Sequence, residues 1–193
     1  MTRTGKILVS AIAATGLLAA GCAKQEAPVA EEIAVVEEVA AEPMVAVARL
    51  QARKGLEITG TVSFIQAAPD QPVTIAAHIE GAAEGEHGFH VHDVGDCSAE
   101  DFTSAGGHFN PASVPHAGPQ DAERHSGDLG NIVVGADGVG HLELTTDMLT
   151  VEDGPQSVAG RAVILHEKAD DLVSQPTGAA GPRLACGVIE REG

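Results

Sequence analysis

The run Glu86-His-Gly-Phe-His-Val-His-Asp93 constrains this chain more than any other stretch. It reads as a β-strand. Side chains on a strand alternate faces, so His90 and His92 point one way while Phe89 and Val91 point the other. Such a strand needs an apolar core on one side and a use for two imidazoles on the other. A metal ion would use both nitrogens, but an H-x-H pair alone does not define a metal site. The rest of the chain has to supply the other ligands.

The sequence around this strand is β-rich. Aromatic residues make up 2% of the chain, with four Phe and no Trp or Tyr, so a core must be built from Val, Ile, Leu and Ala. The 23 Gly and 10 Pro point to many turns. Val45–Leu50, Leu56–Gln66 and Val73–Glu80 alternate apolar and polar residues, and the His90/His92 strand is the fourth. Leu129–Val134 and Val139–Thr145 flank Gly-Ala-Asp-Gly, a hairpin signal. Val158–His166 and Leu184–Glu190 are the seventh and eighth strands. Eight short strands with two long connections predict an all-β fold, an antiparallel Greek-key sandwich or barrel with two long functional loops.

The N-terminus has a different character. Arg3 and Lys6 precede the apolar run Ile7-Leu-Val-Ser-Ala-Ile-Ala-Ala-Thr-Gly-Leu-Leu18, the layout of a secretory signal and short for a membrane span. It ends in Leu18-Ala-Ala-Gly-Cys22, which resembles a bacterial lipoprotein signal with Cys22 as the lipidated residue; Ala19 stands where such boxes prefer Leu. The expectation is a signal peptide over 1–21 and anchorage to a lipid bilayer through Cys22. That places the protein in a bacterial cell envelope, on a periplasmic or outer-membrane face. Residues 22–43, with six Glu and one Lys among Ala, Val and Pro, read as an acidic flexible tether, and 44–193 as the folded domain. Eleven basic against 28 acidic residues give a formal charge of −17, which argues against nucleic acid as a partner. An odd cysteine count in an exported chain implies one pair and one cysteine with another fate.

Between the fourth and fifth strands, Asp93 to Asp128 has no secondary structure of its own. A connection this long inside a compact domain signals function or disorder. It carries Cys97, His108, His116, His125 and Asp128. Three imidazoles and a carboxylate match the four N/O ligands that zinc takes in tetrahedral geometry, and binding would order the loop. His166 closes the seventh strand, and with His90 and His92 it would make an all-imidazole set suited to copper. The sequence alone does not bring those strands together.

Five segments together resemble copper/zinc superoxide dismutase. They are Gly88-Phe-His-Val-His-x-x-Gly-Asp, Ser104-Ala-Gly-Gly-His-Phe-Asn-Pro111, His125-Ser-Gly-Asp-Leu-Gly-Asn131, Gly160-Arg-Ala-Val-Ile-Leu-His-Glu-Lys-Ala-Asp-Asp171 and Gly181-Pro-Arg-Leu-Ala-Cys-Gly-Val-Ile189. The resemblance runs from about Met44 to the C-terminus. It implies one copper and one zinc per subunit, with His90, His92, His108 and His166 on copper and His108, His116, His125 and Asp128 on zinc. His108 would bridge the two metals. Asp170 would be the carboxylate that hydrogen-bonds a ligand of each metal. Cys97 and Cys186 would form the intrasubunit disulfide.

The resemblance also implies the chemistry. Superoxide would be converted to dioxygen and hydrogen peroxide by copper cycling between Cu(II) and Cu(I), with zinc structural and His108 moving a proton. Arg183 would stand at the mouth of the copper channel and Thr177 would flank it. A local positive field is needed there because the substrate is an anion and the chain is acidic; these enzymes are a standard example of electrostatic steering. Pro176 stands where animal forms often carry a lysine, which removes one steering charge. His87 is expected to be structural, His78 and His141 to lie on the surface, and a homodimer is left open. The competing expectation is an envelope lipoprotein that binds copper or zinc without catalysis.

Overall fold

The computed structural model describes residues 42–193. The expected signal segment, Cys22 and all but the last two residues of the expected tether lie outside the described residues. Eight antiparallel strands form β1 (Met44–Ala52), β2 (Thr59–Gln66), β3 (Val73–Glu80), β4 (Gly85–His92), β5 (Asp128–Val134), β6 (Val139–Thr146), β7 (Ala162–His166) and β8 (Arg183–Glu192). They close into a barrel in the order β1-β2-β3-β6-β5-β4-β7-β8, so the connections from β3 to β4 and from β6 to β7 each pass over two strands and give it a Greek-key character. The expected all-β architecture is present, in its barrel form.

Two strands start later than their apolar runs suggest. β2 begins at Thr59 instead of Leu56 because a turn precedes it: Gly55 takes φ +90° and the Leu56 amide donates to the Arg53 carbonyl at 3.0 Å. β7 begins at Ala162 instead of Val158 because the Arg161 amide closes a turn on the Val158 carbonyl at 3.1 Å. Apolar residues in these leads pack without joining a ladder, which a periodicity count cannot distinguish from strand.

Alternation along β4 and β7 divides their side chains between two environments. Phe89 and Val91 enter the barrel interior with Val163, Leu165, Phe64, Ile75, Ile132 and Ile189. Ile164 lies on the opposite face in a second cluster with Phe102, Ala105, Ala162 and Cys186. His90, His92 and His166 are also buried, so the outer wall of these strands is covered by the long loops.

The covering loop, residues 93–127, takes over the edge of β4. The β4–β5 register shifts between Gly88 and His90, which frees Val91. The Val91 amide then donates to the Gly127 carbonyl at 2.9 Å, and the Phe109 amide donates to the Val91 carbonyl at 2.8 Å. A Cβ on Gly127 would collide with the Val91 carbonyl oxygen, so only glycine permits this approach. His92 and His108 pair as an isolated bridge, which carries the loop histidine to the strand histidines. Arg161 fastens the loop from β7's lead, with its guanidinium 3.3 Å from the Phe109 ring centroid and Nη1 2.6 Å from Asp93 Oδ1. Cys97 and Cys186 are joined in a disulfide across 89 residues of chain, with Cα atoms 5.8 Å apart. It ties the loop to β8.

Candidate metal centre

Two groups of buried residues present ligand atoms within 4.8 Å of one another: His90, His92, His108 and His166, and His108, His116, His125 and Asp128. They contain every metal-ligand position expected from the sequence. Strands β4 and β7 position three members of the first group. The loop and the first residue of β5 position the second, and His108 belongs to both.

In the first group, partners hold one nitrogen of each ring. His90 Nε2 donates to Asp170 Oδ2 at 2.8 Å, His92 Nδ1 to the Gly106 carbonyl at 2.9 Å and His166 Nδ1 to the Gly181 carbonyl at 3.0 Å. His108 Nδ1 lies 2.8 Å from Asp128 Oδ1. That leaves His90 Nδ1 and the Nε2 atoms of His92, His108 and His166. His92 and His166 Nε2 are 3.4 Å apart. His90 Nδ1 and His108 Nε2 are buried without any hydrogen-bond partner. Buried polar atoms need partners, and four inward lone pairs are served by one cation. Burial keeps these rings neutral: desolvation lowers His90 to a pKa of about 3 and His166 to about 4, and it drives His92 well down as well. Protons therefore do not compete for them near neutral pH.

The second group converges on one oxygen. Asp128 Oδ1 lies 2.8 Å from His108 Nδ1, 3.0 Å from His116 Nδ1 and 3.1 Å from His125 Nδ1. Four ligands about 2.0–2.2 Å from a tetrahedral zinc ion lie about 3.3–3.6 Å from each other, a few tenths of an ångström wider than these contacts. His116 Nδ1 is buried and faces Asp128 Oδ1 without a well-aligned hydrogen bond, so only the ion pair with that carboxylate engages it. Burial alone would raise the Asp128 carboxyl, but the hydrogen bond from His108 and the adjacent His116 ring hold it well below the usual carboxylate range. Amides of Ala117 and His125 donate to its other oxygen at 3.2 and 3.0 Å. Both groups fit their metals.

Asp170 connects the two. Its Oδ2 accepts from His90 and its Oδ1 accepts from His116 Nε2 at 3.0 Å. The Asp170 amide donates to Asn131 Oδ1 at 2.7 Å, and Asn131 Nδ2 donates back to the Asp170 carbonyl at 2.9 Å. A Cβ on Gly178 would strike the Asp170 carboxylate, so this close turn also requires glycine. Desolvation would lower His116, but the Asp128 and Asp170 carboxylates on its two sides raise it to about 9.

Arg183 is half-buried beside the first group. Nη2 donates to the Gly106 carbonyl at 2.6 Å, the same carbonyl that holds His92, and Nη1 donates to Phe102. Its charge is among the influences that depress His92 and His166, so its field reaches that cluster. Thr177 is half-buried in the turn before Gly178, and its carbonyl accepts from the Ala180 amide at 3.4 Å. His87 is buried behind the site, with Nδ1 2.8 Å from the His166 carbonyl.

Two side chains that hold site residues by their backbones carry no functional signal in the sequence. Asn131 clamps the Asp170 backbone. Gln175 clamps that of His116, accepting from its amide at 2.8 Å and donating to its carbonyl at 2.7 Å. Asn131 lay within a recognisable motif. An amide that bonds only backbone leaves no signal in one sequence.

A closed antiparallel barrel whose outer wall carries four imidazoles and, sharing one of them, three imidazoles with a carboxylate defines a two-metal redox protein. The sequence model of the copper/zinc superoxide dismutase family matches residues 58–189, and the chain belongs to this family. The protein is a superoxide dismutase, an oxidoreductase that uses copper and zinc.

Proposed function

We propose that His90 Nδ1 and the Nε2 atoms of His92, His108 and His166 hold the copper. The Nδ1 atoms of His108, His116 and His125, with Asp128 Oδ1, hold the zinc. The observation that supports this division is that ring partners on His90, His92 and His166 leave one free nitrogen each, on the side His108 Nε2 shares. Copper bound there would supply one-electron chemistry between Cu(II) and Cu(I).

The reaction consumes two superoxide anions and two protons and yields dioxygen and hydrogen peroxide. Arg183 draws the anion toward the copper cluster against a net charge of −17 and orients it by charge. Thr177 flanks the approach. His108, held through Nδ1, would take up a proton on Nε2 only while that nitrogen is free of copper, and would give it to the reduced oxygen species as Nε2 rejoins the copper site. Asp170 keeps His90 and His116 turned to their metals. Cyanide-sensitive superoxide disproportionation, measured with both metals loaded, should fall to near background in His108→Ala; full activity in that protein would contradict the proton role.

We further propose that residues 1–21 are a lipoprotein signal, that Cys22 carries the lipid, and that 22–43 tether the domain in a bacterial envelope. The Cys97–Cys186 disulfide supports an oxidising compartment of this kind. Radiolabelled fatty acid should enter the wild type and not Cys22→Ala; equal labelling would overturn the anchor.

A further inference from the structure

Two histidines stand apart from the metal centre. His78 on β3 and His141 on β6 are directly opposed in the ladder, and both are exposed on the outer wall. Their Nδ1 atoms are 3.3 Å apart, with ring centroids at 4.7 Å and planes inclined by 38°. Two nitrogens each about 2.0–2.1 Å from a tetrahedral zinc ion lie about 3.3–3.4 Å apart. The spacing is already that of two imidazoles on one ion.

Glu80 selects the nitrogen that faces it. His78 Nε2 donates to Glu80 Oε1 at 3.0 Å, so the neutral ring keeps its proton on Nε2 and presents an unprotonated Nδ1. Carboxylates orient histidine ligands of zinc in this way. His141 offers its own Nδ1 in the tautomer that carries the proton on Nε2. Glu143 follows His141 by two residues and lines the same depression. Two carboxylates beside two imidazoles make the local field favour a cation.

We infer that His78 and His141 form a third metal site, for zinc, on the barrel wall. Glu80 holds His78, and water completes the coordination. The site is separate from the paired centre, whose ligands come from β4, β7, the loop and the start of β5.

The test uses the holoenzyme dialysed against buffered free zinc, with bound zinc and copper counted by elemental analysis. Wild type should hold one zinc per chain more than the His78→Ala/His141→Ala variant. That difference counts this site alone, whatever the loading of the paired centre. Glu80→Ala should bind the additional ion about tenfold more weakly. Equal zinc in wild type and the double variant would overturn the site. Half an additional ion per chain with a doubled mass would replace it by a bridge between copies. Unchanged affinity in Glu80→Ala would remove the carboxylate's part.

Discussion

Asp170 shows how single residues set this site. One carboxylate accepts from His90 and from His116, so removing its charge loosens a ring in each cluster. Asp170→Asn should weaken zinc by about 10–100-fold, read by competition with a chelator. His116 adds a pH dependence. In the metal-free protein its pKa is raised to about 9, so its pairing with the two aspartates stabilises fully below its ordinary 6.5 and is lost as pH rises through about 9. Zinc needs the neutral ring and must displace that proton. Zinc affinity should therefore rise by roughly one log unit per pH unit up to about 9. A flat profile from pH 7 to 9 would contradict the paired imidazolium. At this scale the ligands were legible, because His and Asp with the right spacing advertise metal chemistry. Their hydrogen-bond partners were not. Gly106 and Gly181 act through carbonyls, and Asn131 and Gln175 through contacts with backbone that only the folded chain brings near.

At the scale of elements, the site depends on a long loop being tied at several points. The Cys97–Cys186 bond closes 89 residues of separation, and on chain-entropy grounds such a link contributes about 4–5 kcal/mol. The paired Cys97→Ser/Cys186→Ser protein should lose stability of that order in denaturant unfolding. Gln175 links the β7–β8 connection to the zinc loop with two hydrogen bonds to His116. Gln175→Ala should cost about 1–2 kcal/mol and speed zinc release, measured in a chelator chase. The strands were largely legible because alternation reports which face is buried. The late starts of β2 and β7 were not, since turns set by Gly55 and by the Arg161 amide interrupt apolar runs that look continuous. Nor did alternation reveal that β4 is covered on both faces. Gly127's approach to β4 requires a register shift that no local pattern encodes.

For the whole molecule, the opposition is between a net charge of −17 and an anionic substrate. Arg183, held by the Phe102 and Gly106 carbonyls, is positioned to supply a local positive field. Arg183→Ala should lower kcat/KM by about tenfold or more and flatten its decline with ionic strength, while copper and zinc content stay as in the wild type. The strand order and the loop that lies over β4 and β7 place four histidines from three separate segments around one centre. The most direct test of that arrangement is anomalous diffraction from crystals of the metal-loaded protein, with data collected on both sides of the copper and zinc edges. The copper signal should fall among His90, His92, His108 and His166, the zinc signal among His108, His116, His125 and Asp128, and His108 between them. Copper and zinc in exchanged positions, or a His108 ring that contacts only one of them, would contradict the account.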